Sequence, residues 1–232
     1  MQNRHVITVD GLAGSGKTAL SKALAHRLGY VHLSTGLVYR ALGWLALLNR
    51  VGFEDTPGLL DLLKVHSVEF KAADGYSAEL LIDGVKGSEK LHLPEVSEAA
   101  SVTSRHLAVR EALLDLQRDA CPGSNIVVEG RDMGTVVFPH AAVKFFVRAS
   151  QEIRIQRRLS QLESELGIVN GEALNSLKRQ IEIEIIERDE RDSKRLISPT
   201  VAARDAILID NSSQTLTEVV QNMYDAVLKR LG

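Results

Sequence analysis

The most specific chemistry in the chain lies in the run Gly11-Leu12-Ala13-Gly14-Ser15-Gly16-Lys17-Thr18. Its spacing is G-x-x-x-x-G-K-[ST], that of a phosphate-binding loop. Glycines let the backbone bend so that successive N–H groups point inward at phosphate oxygens. A helix starting at once adds its positive end to the same spot. Lys17 is placed to reach the β- and γ-phosphates of a nucleoside triphosphate, and the Thr18 hydroxyl to help hold Mg²⁺. The expected triphosphate site is therefore Gly11, Leu12, Ala13, Gly14, Ser15, Gly16, Lys17, Thr18 and Ala19. The loop leaves the phosphoryl acceptor open, because GTPases, motors and small-molecule kinases all share it.

A phosphorylated acceptor needs a second anion site beside the first. Arginine suits that task, since its planar fork binds phosphate bidentately and stays charged. Three segments supply arginines. The first is Ser34-Thr35-Gly36-Leu37-Val38-Tyr39-Arg40, and the second is Glu129-Gly130-Arg131-Asp132-Met133-Gly134-Thr135. The third is Glu187-Arg188-Asp189-Glu190-Arg191-Asp192-Ser193-Lys194-Arg195, ahead of Pro199. By itself the third also reads as a solvated helix face laced with i,i+4 pairs such as Glu187 with Arg191. Asp55-Thr56-Pro57-Gly58 imitates the D-x-x-G motif of GTPases, but no buried strand leads into it and the chain has no N-K-x-D. Asp55 or Thr56 is expected to cap the next helix instead.

These segments need a frame. Apolar runs at 5–10, 30–33, 125–128, 143–147 and 206–210 alternate with helical patterns at 18–28, 37–49, 106–118, 150–166 and 173–194. That alternation predicts an α/β fold with a five-stranded parallel sheet covered on both faces. Both arginine loops then follow strands, at the C-terminal ends where such sheets hold ligands. Strand patterns at 68–72 and 79–82, joined across 73–76 and followed by Asp83-Gly84, break the alternation. They mark an inserted subdomain over 65–103, between core segments 1–64 and 104–232. Gly29 is a helix stop, and Thr215 with Glu218 forms a capping box for a last helix.

Composition excludes several classes. The 232 residues carry a formal net charge of -2, 44% hydrophobic and 25% charged residues, which suits one globular domain without a basic nucleic-acid footprint. The single cysteine, Cys121, allows no intrachain disulfide and suits a reducing compartment. The longest apolar stretch, near 44–48, is too short to span a bilayer, and no signal-peptide h-region precedes the first strand. A cytoplasmic monomer with no nucleic-acid or membrane partner is expected.

The chain resembles bacterial cytidylate kinases from end to end. The resemblance is carried by GLAGSGKT, by STGLVYR, by Ala100-Ser101 through Val109-Arg110-Glu111-Ala112-Leu113, by EGRDMGTVVFP at 129–139 and by ERDERDSKR at 187–195. It implies a P-loop kinase fold with an inserted acceptor-binding segment at 65–103 and a helical lid near 171–200. It implies transfer from ATP with Mg²⁺ to CMP or dCMP. Lys17, Arg131, Arg188 and Arg195 would be catalytic. Thr35, Tyr39, Arg40, Ser101, Arg110, Arg131, Asp132, Arg188 and Asp192 would hold CMP, with Ser101, Arg110 and Asp132 reading the cytosine edge. A plainer role for Asp132 is to brace Arg131 by an ion pair. Arg157 would stand near the adenine. Thr18 and, through water, Glu129 would serve Mg²⁺. Ser34 and Glu129 occupy positions where the family often has aspartate. The competing readings are a kinase for UMP, AMP or shikimate, a GTP-binding switch, and a non-catalytic binding protein.

Overall fold

A computed structural model describes residues 4–73, 76–87, 89–166, 171–195 and 197–232. In chain order the strands are β1 (Val6–Gly11), β2 (Val31–Ser34), β3 (Val68–Ala73), β4 (Ser77–Ile82), β5 (Val85–Lys86), β6 (Ile126–Gly130), β7 (Val143–Arg148) and β8 (Ile207–Asp210). The helices are α1 (Lys17–Leu28), α2 (Gly36–Asn49), α3 (Thr56–Val65), α4 (Pro94–Thr103), α5 (Leu107–Arg118), α6 (Gln151–Leu166), α7 (Gly171–Ser193) and α8 (Leu216–Leu231). Among the described residues, no helix is long and apolar enough to cross a membrane.

The five expected parallel strands are present, in the order β2-β6-β1-β7-β8. β1, β6 and β7 are Val/Ile/Phe runs buried along almost their whole length, as strands covered on both faces must be. The sheet does not stop at five. β3 and β4 pair antiparallel, and β4 joins β2 in parallel through His32 and Ser77, which makes an eight-stranded sheet with β5 on β4. The physical reason is the open edge of β2, whose backbone groups need partners; the His32 N–H donates to Tyr76 O at 2.9 Å. The hairpin at 65–103 therefore extends the main sheet. Its expected turn at 73–76 includes Asp74 and Gly75, which lie outside the described residues, as does Leu196 of the expected lid. After β5, Glu89–His92 forms a short helical turn and α4 follows.

Smaller expectations hold in place. Asp55 caps α3, accepting from Gly58 N at 3.1 Å, so the GTPase-like run is a helix start. Thr215 and Glu218 form the reciprocal capping box of α8. Cys121 is buried beside Ile126 and Val128.

One apolar cluster packs β1 and β7 against α1 and α8 and includes Leu20, Leu24, Phe145 and Met223. A second joins α2, α3 and α5 to Leu80 of β4 and Leu91. α6 and α7 form their own small cluster from Ile155, Leu159, Ile181 and Ile185. At roughly 1.5–3 kcal/mol for each fully buried aliphatic side chain, these four residues are the main apolar bond between the two helices.

Candidate active site

The phosphate loop leaves β1 at Gly11 and becomes α1 at Lys17. Gly16 has φ +87°, and a Cβ there would lie 2.4 Å from Asn211 Nδ2, so only glycine fits. Asn211 Nδ2 donates to Ser15 O at 2.8 Å, and Arg157 donates to the same oxygen at 3.3 Å and to Asn211 O at 2.7 Å. Arg154 donates to Ala13 O at 3.1 Å and pairs with Asp189 of α7 at 2.6 Å. The loop is thus held from outside by α6 and by the segment after β8. Arg157, expected near adenine, is committed to the Ser15 and Asn211 carbonyls, although it still lines the cleft over the loop. Sequence reasoning missed Asn211 and Arg154 because nothing local marks them.

Two clefts meet at this loop. One is lined by Ala13, Gly14, Gly16, Ala19 and Arg157 and faces α7. The other is lined by Thr35, Tyr39, Ser101, Arg110, Asp132, Asp192 and Arg195. Lys17, Thr18, Arg40, Arg131 and Arg188 line both. Gly11, Leu12 and Ser15 line neither and shape the loop through their backbone. Ser34, Ser104 and Met133 also reach the second cleft.

Charge in the second cleft favours anions. Lys17 and Arg40, Arg110, Arg131, Arg188 and Arg195 outnumber Glu129, Asp132 and Asp192, six basic side chains to three carboxyl groups. Arg40 is oriented by donating to Leu91 O and Ser97 Oγ, each at 2.7 Å. Arg131 Nε donates to Asp192 Oδ2 at 2.8 Å, and Arg195 donates to the other oxygen of the same carboxylate. Burial alone would raise the Asp192 carboxyl, but Arg131, Arg195 and Arg188 hold it below its ordinary value. Asp192, 1% exposed, thus gathers the arginines of the β6 loop and of the charged run. Arg188 Nε is buried without a hydrogen-bond partner, and burial followed by Arg131 repulsion lowers its pKa to about 10.

The expected Glu187–Arg191 pair is replaced by a longer-range one. Arg191 binds Glu98 of α4 through both guanidinium nitrogens, one bond being 3.0 Å. The exposed i,i+4 pair on this face is Glu190 with Lys194 at 3.3 Å. Asp132 also differs from its plainer expectation, since it binds Arg110 and not Arg131. The Arg110 guanidinium sits 5.5 Å from the Tyr39 ring centroid and donates to Ser104 O at 3.2 Å. Ser101 Oγ, nearby, is buried without a partner. An acceptor and a donor therefore stand side by side, both buried, with a free hydroxyl in the same wall.

At the junction, Thr18 Oγ1 donates to Glu129 Oε2 at 2.7 Å, and His32 Nε2 lies 3.5 Å from Glu129 Oε1. Burial opposes ionisation of Glu129, but His32, Lys17 and Thr18 outweigh it and hold the carboxyl at about 2. Lys17 Nζ donates to Leu12 O at 3.3 Å. Burial first, then the Arg131 charge, pulls its pKa down to about 7.

This arrangement can hold two phosphorylated molecules with their phosphates converging on one cluster of cations. The comparisons with known proteins agree with it. The family model described as cytidylate kinase matches residues 7–229. The chain is 38% identical to the cytidylate kinase of Pasteurella multocida (strain Pm70) over 231 residues, covering 100% of this chain and 98% of that one. It is 40% identical to the cytidylate kinase of Pelotomaculum thermopropionicum over 215 residues, 93% of this chain and 92% of the other. The cytidylate kinase of Thermotoga neapolitana matches at 39% over 226 residues, 97% of each chain. With its phosphate loop, its second arginine-lined cleft and these matches along its length, the chain belongs to the cytidylate kinase family.

Proposed function

We propose that this protein transfers the γ-phosphate of ATP to CMP or dCMP. The observation that carries the reading is the set Lys17, Thr18, Arg40, Arg131 and Arg188, which stands on the walls of both clefts. Phosphoryl transfer needs in-line positioning and charge neutralisation more than covalent chemistry, and these residues supply both at the point where the clefts meet. ATP phosphates would lie on the loop N–H groups. Arg40 and Arg131 would hold the acceptor phosphate, and Arg188 and Arg195 would come in from α7 and the segment after it as a lid. Asp192 would align Arg131 with Arg195. The helix pair α6–α7 closes over the loop through Arg154, which touches Ala13 O and Asp189 together. The enzyme is proposed to act as a monomer.

Mg²⁺ fits this site as a companion of ATP. Thr18 and Glu129 offer oxygen donors, which hard cations prefer. Among the described residues no group of three or more His, Cys, Asp or Glu could cage a metal alone, as suits an ion that arrives on the nucleotide. When bound it would neutralise charge between the β- and γ-phosphates.

The test is a coupled assay of ADP release over CMP, dCMP, UMP, AMP and shikimate. CMP and dCMP should be turned over fastest with ATP. Faster turnover of another acceptor, a preference for GTP as donor, or no turnover at all would each overturn the reading.

Lys17 gives a pH prediction. Its folded pKa near 7 means it is largely neutral at pH 8. Triphosphate oxygens beside it would stabilise the charged form and raise that pKa. ATP binding at pH 8 should therefore take up close to one proton through Lys17, and the uptake should vanish below about pH 6, where the lysine is already charged. Calorimetry in buffers of different ionisation heat measures this uptake. An absence of uptake at pH 8 would contradict the depressed pKa.

A further inference from the structure

Asp10 takes no part in the chemistry above, yet its carboxylate joins the two loops that do. It is 3% exposed. Oδ1 accepts from Met133 N and Oδ2 from Gly134 N, each at 2.8 Å. On one side Asp10 directly precedes Gly11 and the phosphate loop. On the other, Met133 and Gly134 directly follow Arg131 and Asp132.

The local backbone explains why a carboxylate is needed. Residues Met133–Val137 form a wide π-helical turn in which Val137 N donates to Asp132 O at 3.2 Å and Phe138 N to Met133 O at 2.7 Å. The leading N–H groups of such a turn have no partner within it. Asp10 accepts from two of them at once. Gly134 permits the approach: a Cβ there would meet Thr8 Oγ1 at 3.0 Å, Lys144 Cδ at 3.1 Å and Asp10 Oδ2 at 3.4 Å. Arg131 and Asp132 are thus suspended between two anchors. One is the β1–β6 ladder, where Asp10 is registered with Gly130. The other is the pair of bonds to the Asp10 side chain.

We propose that Asp10 is a positioning residue that fixes Arg131 and Asp132 relative to the phosphate loop, so that acceptor recognition depends on a carboxylate outside the acceptor cleft. The inference rests on the kinase reading of that cleft. A carboxamide at this position keeps one acceptor oxygen but sets an NH₂ against a backbone N–H, which pushes the turn away without emptying the site.

The test compares wild type with Asp10→Asn and Gly134→Ala in steady-state assays with ATP and a panel of monophosphates, alongside thermal melts. The readout is taken on whichever monophosphate the wild type uses best, so a wrong acceptor assignment and a wrong role for Asp10 give different results. Asp10→Asn should raise KM for the acceptor by ~10-fold or more, as expected when a charge-assisted bond is lost, and should narrow the preference among bases. KM for ATP should stay within about 3-fold, because Asn211 and Arg157 hold the phosphate loop independently. Gly134→Ala keeps the carboxylate and displaces the turn, and it should shift the acceptor KM in the same direction; it carries the test alone if Asp10→Asn does not fold. A variant with unchanged acceptor KM and base preference, showing only a lower melting temperature or active fraction, would make Asp10 a purely structural residue and overturn the proposal.

Discussion

Replacing Lys17 by alanine is expected to leave the fold intact and to cut turnover by ~10²–10³-fold or more, the usual scale for removing one preorganised charge at a reacting centre. The loop does not depend on Lys17 for its shape. Ser15 O is held by Asn211 and Arg157, and Ala13 O by Arg154, while the lysine makes one 3.3 Å bond to Leu12 O. Its cost should therefore fall on the reaction and not on melting temperature. Lys17 stands with Arg131 and Arg188 on the walls of both clefts, where under the proposed reaction charge would develop on the transferring group. The measurement is kcat with both substrates saturating, with a melt as control. Near-normal turnover with ATP and CMP would show that the loop is not catalytic.

The second large effect concerns the base. Cytosine presents an N4 amino donor beside an N3 acceptor, and Asp132 with Arg110 offers the complementary acceptor and donor in a buried wall. Uracil reverses both groups, so O4 would face the carboxylate and N3–H the guanidinium. Each mismatched polar group would cost roughly 1–3 kcal/mol, more where charge is involved. Sites that read polar groups this way reach discriminations as large as about 10⁴, and at least ~100-fold in kcat/KM for CMP over UMP is expected here. Asp132→Ala should erode that ratio mainly by losing CMP activity. It also leaves the Arg110 charge without its partner, a loss on the order of 3–5 kcal/mol in buried pairs. Asp132→Asn is therefore the companion variant, since its amide can turn NH₂ toward O4 of uracil and should narrow the ratio further. If CMP and UMP activities fall in equal proportion, Asp132 does not read the base.

Local chemistry was the part of this site that the sequence could disclose. The phosphate loop is contiguous, and its backbone geometry follows from glycine spacing alone, so Gly16, Lys17 and Thr18 were legible. Arg40, Arg131 and Asp132 were legible because they follow strands in a βα alternation. What remained hidden is long-range. Met133 and Asp10 are 123 residues apart, Arg154 and Ala13 are 141 apart, and Arg191 and Glu98 are 93 apart. No periodicity or turn signal encodes such pairs. The i,i+4 rule pointed Arg191 at Glu187, and a better-placed carboxylate on α4 prevailed. Hairpin strands were visible at 68–72 and 79–82, but their docking on β2 depends on which sheet edge stands open, a property of the assembled fold. The π-helical turn after Asp132 was hidden as well, because its leading N–H groups are satisfied by Asp10 rather than by neighbours in sequence.

The separate apolar cluster between α6 and α7 has a consequence for exchange with solvent. Its buried members Ile155, Leu159, Ile181 and Ile185 contact one another, apart from the cluster beneath the sheet. A unit whose apolar contacts are mainly internal can detach as a block, breaking chiefly the polar links of Arg154, Arg157, Asp192 and Arg191. Backbone amides of β1, β6 and β7 should then exchange only on global unfolding, while those of α7 exchange through a cheaper, sub-global opening. Bound nucleotide at both clefts would add anionic partners for Arg188 and Arg195 and raise the free energy of that opening, so protection in α7 should report occupancy of the enzyme more sensitively than protection in the sheet.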